Sequence, residues 1–138
     1  MINALMLLPL AAGLLSFLIR GDAARRRLLL WTARGHFLLT SITICFHLRG
    51  VMPSGTQVWF AYDALGLLFL GITSLLFLGA SQYAVTYLAL EKRDPGADAA
   101  DGFIFNNAPE TVFTGCLLLF LAAMTAVTTR REAWIEVR

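Results

Sequence analysis

Charge is what this sequence has least of. Only 14% of its 138 residues are Asp, Glu, Lys or Arg, against 58% hydrophobic; a soluble domain carries roughly 25% charged and 45–50% apolar residues. A core of this size leaves much of its area facing solvent, so ten Phe and the long Leu-rich runs could not all be hidden from water. Eleven basic residues against nine acidic ones leave too even a balance for a nucleic-acid partner. Histidine and cysteine number two each, and they are scattered singly, which excludes a metal site of ordinary spacing or a disulfide framework. Cys45 and Cys116 fall inside apolar runs and are expected to be small, reduced core residues. No Gly-rich phosphate loop and no nucleophile-base-acid set is present, so the chain is expected to hold no catalytic residue, no metal and no cofactor of its own. The N-terminus lacks the basic segment that opens a secretory signal peptide, so its apolar run should be retained as a helix.

What is present is apolar length. Hydrocarbon about 30 Å thick is crossed by about 20 mainly apolar helical residues, all of whose backbone polar groups are satisfied within the helix. Four stretches meet this condition, 2–19, 28–48, 64–90 and 111–129, which predicts an all-α integral membrane protein forming a single membrane domain over 1–138. Pro9 should bend the first helix. The second is weakened near its start by Arg34 and His36, and the third is long enough to tilt or to project at its Tyr83/Tyr87 end.

Charge at the ends of these stretches gives an orientation. Arg20, Arg25, Arg26 and Arg27 crowd the first connection, with Arg34 just beyond, whereas the second has only Arg49 before Pro53 and Gly55. The positive-inside rule then places the first and third connections in the cytoplasm and the N-terminus outside, in a multi-pass protein of the inner or plasma membrane. Arg130, Arg131 and Arg138 would lie outside, against the rule, unless they begin a further helix or are covered by a partner. Residues 91–110 carry five acids, with Pro95, Gly96 and Gly102, and are expected to form an acidic cytoplasmic loop.

An ionisable group in hydrocarbon is expensive and tends to be functional. Arg34, His36 and His47 are the intramembrane candidates, each placed near an end of the second helix. For Arg34 the ordinary role is a side chain snorkelling to the interface, and the alternative is a partner carboxylate or a proton path; the same pair of readings holds for His36 and His47. Asp63 precedes an apolar run and suits a helix N-cap, the alternative being a functional acid, with Trp59, Phe60 and Tyr62 beside it as an interfacial aromatic belt. On the third helix Gln82 and Thr86 share one face and Tyr83 and Tyr87 another, as interhelix hydrogen bonds or interface anchors. Ala12 with Ser16, Ala80 with Ala84, and Ala122 with Ala126 are small pairs at four-residue spacing that let helices approach closely.

The segment Trp59-Phe60-Ala61-Tyr62-Asp63-Ala64-Leu65-Gly66, continuing as LLFLGITSLLFLGASQYAVTYL to Leu88, resembles the N-terminal part of antiporter-like membrane subunits. These are the proton-translocating subunits shared by respiratory complex I, cation/proton antiporters and hydrogenase-4-type hydrogenases. The stretch FIFNNAPETVFTGCLLLFLAAMTAVT, from Phe103 to Thr128, is most similar to the hydrogenase-4 component F type.

The resemblance implies a subunit coupling electron transfer in a peripheral redox arm to proton or sodium movement, with other membrane-arm subunits and the lipid bilayer as partners. Nickel-iron or iron-sulfur centres would belong to those partners, making this chain at most a non-catalytic subunit. Family members are several times longer, and their proton path rests on a glutamate of the fifth helix and on later lysines. The chain ends at Arg138, about where that helix would begin, so it resembles a truncated or split N-terminal portion; the spacing of Glu136 does not match the family glutamate. The alternatives are a free-standing small four-helix transporter or an assembly subunit.

Overall fold

The computed structural model describes residues 2–50, 64–91 and 110–129. They form four helices: α1 (Ile2–Leu18), α2 (Asp22–Leu48), α3 (Ala64–Glu91) and α4 (Glu110–Thr129). Among the described residues the all-α, membrane-compatible architecture expected from the sequence is the one observed. Three helices, α2, α3 and α4, are long and apolar enough to cross a membrane, and α1 is a shorter apolar helix. At 1.5 Å per residue its 17 residues rise about 25 Å, and it continues through Pro9.

The main departure is the start of α2. Leu28 is the first residue of its apolar run, but the helix begins six residues earlier, at Asp22. Gly21 is extended and its carbonyl accepts from the N–H groups of Ala24 and Arg25, so the helix is already wound where the residues are still charged. At the other end Gly50, at φ +65°, takes the left-handed conformation that closes a helix, its N–H donating to the His47 carbonyl.

Successive helices pack side by side, α4 closes the ring on α1, and α2 and α4 also meet across a short diagonal, while the α1 and α3 backbones stay farther apart and meet only through side chains, Leu5 with Leu67 and Leu70. The helices come closest where side chains are smallest. A Cβ on Gly115 would lie 2.5 Å from the Phe17 ring, and one on Gly66 would lie 2.5 Å from the main-chain oxygen of Thr128. Of the small pairs expected to pack, Ala12, Ser16, Ala84 and Ala122 are buried, whereas Ala80 is exposed.

The interior is unusual for a soluble bundle. Among the described residues, beside Pro9 and two glycines, eleven buried positions are hydrophobic and eleven are polar or charged, while the outer surface carries two dozen exposed large apolar side chains. Leu118, Leu121, Leu29 and Phe77 form one apolar cluster and Leu5, Leu67 and Leu70 another. Between and around them lie Ser16, Thr32, His36, Thr40, Thr43, Ser74, Ser81, Thr114, Thr125 and Thr129. Water would penalise such an arrangement on both counts. Lipid favours it, because tails solvate Leu and Phe outside while most of the hydroxyls within the bundle find helix carbonyls or the His36 ring. Thr43, Thr125, Thr128 and Thr129 each donate to a carbonyl four residues earlier.

Both cysteines correct the sequence expectation: Cys45 and Cys116 are free thiols exposed on the outer surface. An apolar run marks a helix as lipid-compatible without saying which of its faces is turned inward.

Candidate functional site

Two clusters join helices through polar side chains, and a third position stands apart on the outside.

The deepest cluster centres on His36. Because α2 starts at Asp22, ahead of the apolar run, His36 lies midway along the helix rather than near its end, and its side chain is fully buried. Its Nδ1 lies 2.9 Å from Ser74 Oγ on α3, and its Nε2 lies 3.0 Å from Thr125 Oγ1 on α4. The Thr125 hydroxyl already donates to the Leu121 carbonyl at 2.8 Å, so toward the ring it accepts. This assigns the proton of the neutral imidazole to Nε2 and makes Ser74 the donor to Nδ1. If the ring took a second proton, Nδ1–H would donate to Ser74 Oγ and only the hydroxyl hydrogen of Ser74 would have to turn. One imidazole thus ties three helices.

A signal for this burial was present in the sequence. Thr32, His36, Thr40 and Thr43 follow one another at four, four and three residues, a polar stripe on an otherwise apolar helix, and all four are buried. In lipid such a stripe faces inward. The hydroxyls of Thr40, Ser16 and Thr114 are buried without a hydrogen-bond partner among the described residues.

The second cluster holds the helix ends on the first-connection side. Arg26 Nε donates to Glu110 Oε1 at 2.8 Å and Nη2 to Oε2 at 3.0 Å, a forked pair. The same Nη2 donates to the Leu88 carbonyl at 2.8 Å. Leu88 is among the last four residues of α3, whose carbonyls have no partner within the helix, and Glu110 opens α4, where the helix dipole favours a carboxylate. One guanidinium therefore satisfies three requirements set by three different helices. Next to it, the buried Arg25 pairs with Asp22 at 2.7 Å and donates to the carbonyls of Ile19 and Arg20, fixing the corner between α1 and α2. The arginines read from the sequence as an orientation signal are also structural ties. Arg26 and Glu110 are 84 positions apart, and nothing in the sequence pairs them.

The third position is Arg34. It is exposed on the outer face of α2, in line with Trp31, Leu38 and Ile42, all exposed as well. It lies 12 residues after the first residue of α2 and 14 before the last. Its place inside the apolar run that opens at Leu28 carries part of the ~2.5–3.5 kcal/mol that an arginine costs at the centre of a spanning helix.

The remaining sequence candidates are not drawn into either cluster. His47 is half-buried in the last turn of α2, near the helix end as expected. Gln82 and Thr86 are both exposed, and the Thr86 hydroxyl donates to the Gln82 carbonyl within α3, so neither makes the interhelix bond considered for them inside this bundle. Tyr83 and Tyr87 stack on each other, ring centroids 6.3 Å apart, on the exposed face of α3. Asp63 lies outside the described residues, as does the acidic segment after Glu91 as far as Pro109. Among the described residues no group of three or more His, Cys, Asp and Glu could hold a metal.

Comparison with known protein families, with characterised proteins and with solved structures gave no match to this chain.

Proposed function

We propose that this chain is a scaffold of the membrane arm of a redox-coupled ion-translocating assembly, corresponding to the N-terminal helices of an antiporter-like subunit of hydrogenase-4 type. The family assignment draws on the resemblance of Trp59–Leu88 and Phe103–Thr128. The scaffold role draws on one observation above all, the Arg26 fork that holds the ends of α2, α3 and α4 at one level. Charge that could have served chemistry is committed to helix registry. In this reading the clamped ends face the cytoplasm of an inner or plasma membrane and the N-terminus lies outside, while electron transfer and any metal centres belong to partner subunits.

Affinity purification of the full chain from its own membrane in mild detergent tests the proposal. Co-purification with further multi-helix membrane subunits and a redox arm, together with loss of their assembly when the chain is deleted, is the expected result. Recovery of the chain alone, with the assembly of every other membrane complex unchanged on deletion, would sink it.

His36 favours a second reading, a free-standing small transporter, because a buried imidazole joined to two hydroxyls offers a proton-holding site within the span. Reconstitution of the purified chain in liposomes separates the two. Ion flux coupled to a pH gradient and abolished by His36→Ala would establish the transporter; the scaffold predicts no flux to lose.

A further inference from the structure

The outer face of α2 poses a problem that the bundle does not solve for itself. Arg25 and Arg26, on the same helix, have their guanidinium groups bonded to carboxylate and carbonyl oxygens. Arg34 is exposed and has no such partner among the described residues, and its neighbours along the helix surface are Trp31, Leu38 and Ile42. Three of the four members of this stripe suit lipid or a packed helix. The fourth does not.

Depth decides how Arg34 can be satisfied. The charged turn of α2 ends at Arg27 and the apolar run opens at Leu28, so Leu28 marks the hydrocarbon boundary. Arg34 is six residues further on, about 9 Å deeper at 1.5 Å per residue. The headgroup region adds about 5–7 Å beyond that boundary on each side of the bilayer. A lipid phosphate is therefore farther from the Arg34 backbone than a side chain of this length comfortably spans, even though helix geometry tilts it toward the near surface. Arg26 already shows what satisfies an arginine of this helix, a carboxylate presented by a neighbouring helix.

We propose that the Trp31–Arg34–Leu38–Ile42 face of α2 is the docking surface for a transmembrane helix of another protein, and that this helix carries an Asp or Glu at the depth of Arg34. Apolar residues on either side of the pair exclude lipid and water, so a single ion pair fixes both which helix docks and at what height. The inference needs only that the bundle is in a membrane, and holds whether or not the assembly is redox-coupled.

The test uses the full chain expressed in its own membrane, with a photo-crosslinking amino acid at Leu38 or Ile42 and a control at Leu76, on the exposed face of α3. The expected result is an adduct with one membrane protein from positions 38 and 42 and not from 76. Arg34→Glu should lower its yield about tenfold, Arg34→Leu, which suits a lipid-facing helix, should lower it also, and Arg34→Lys should largely keep it. The crosslinked peptide locates the partner's carboxylate, and changing that residue to Arg should restore the yield with Arg34→Glu. Adducts with lipid alone, adducts with a second copy of this chain, insensitivity to Arg34→Glu, or failure of the charge swap to restore the yield would each overturn the proposal.

Discussion

Removing the Arg26 fork gives the sharpest test of how this bundle is held together. Arg26 and Glu110 side chains are 15% and 14% exposed, between two regimes. Surface pairs contribute about 0.2–1 kcal/mol, and stripping one partner from a fully buried pair costs about 3–5 kcal/mol. Interhelix hydrogen bonds inside membranes average only about 0.6 kcal/mol, because the unfolded helices also find partners in the bilayer. Two charge-assisted bonds in the fork, at partial burial, then give a coupling of about 1–2 kcal/mol. Arg26→Ala also frees the Leu88 carbonyl, so it should cost about 2–3 kcal/mol and exceed Glu110→Ala by about 0.5–1 kcal/mol. The assay is reversible unfolding of the purified chain in mixed micelles or bicelles, run as a double-mutant cycle over wild type, R26A, E110A and the double variant. R26K, which keeps charge but not the fork, should fall between wild type and R26A. If the single effects add to within about 0.3–0.5 kcal/mol, the value for independent sites, the fork contributes nothing as a pair and the clamp as described is wrong.

Three further outcomes are expected from the same unfolding assay. His36→Ala should cost about 2–3 kcal/mol, from a cavity and from two hydroxyls losing their ring partner, and His36→Leu should recover roughly half by filling the space; equal losses would show that packing around the ring plays no part. Gly66→Ala should be among the most damaging single changes, above about 2 kcal/mol, because its new methyl meets the rigid Thr128 carbonyl at 2.5 Å, and a neutral result would mean that the close approach of α3 to α4 is not as described. Thr40→Val, which removes a buried hydroxyl without a partner while keeping the shape, should be neutral or stabilise by up to about 1 kcal/mol, so a clear loss of stability would reveal a partner for that hydroxyl.

The helices were legible because hydropathy alone marks a segment as lipid-compatible: the expected 64–90 and 111–129 became Ala64–Glu91 and Glu110–Thr129. It fails at Asp22–Arg27, since the apolar signal stops at the membrane boundary while helical hydrogen bonding continues past it. That shift lengthens α2 outside the apolar run and leaves the depth of His36 unchanged; what gives the ring its meaning is its burial against Ser74 and Thr125. Which side of a helix faces inward was harder to read. Composition assigns Cys45 and Cys116 to the core and they lie outside, whereas the stripe of Thr32, His36, Thr40 and Thr43 does mark the inward face of α2. The Arg26–Glu110 pair had no local signal of any kind, because with eleven bases and nine acids in the chain any of many pairings was open.

The place of α4 in the ring has a consequence in time. It packs against each of the other three helices, and it carries one partner each of Arg26 and His36, Glu110 and Thr125, which lie 84 and 89 positions away from them in the chain. At roughly 5–20 residues per second, a ribosome that has just made Arg26 needs about 4–17 s more to reach Glu110. Throughout that interval a guanidinium and an imidazole wait in a half-built bundle for groups not yet synthesised. Whatever shelters them, water at the insertion site or a neighbouring membrane protein, is displaced when α4 brings Glu110 and Thr125 into the bundle.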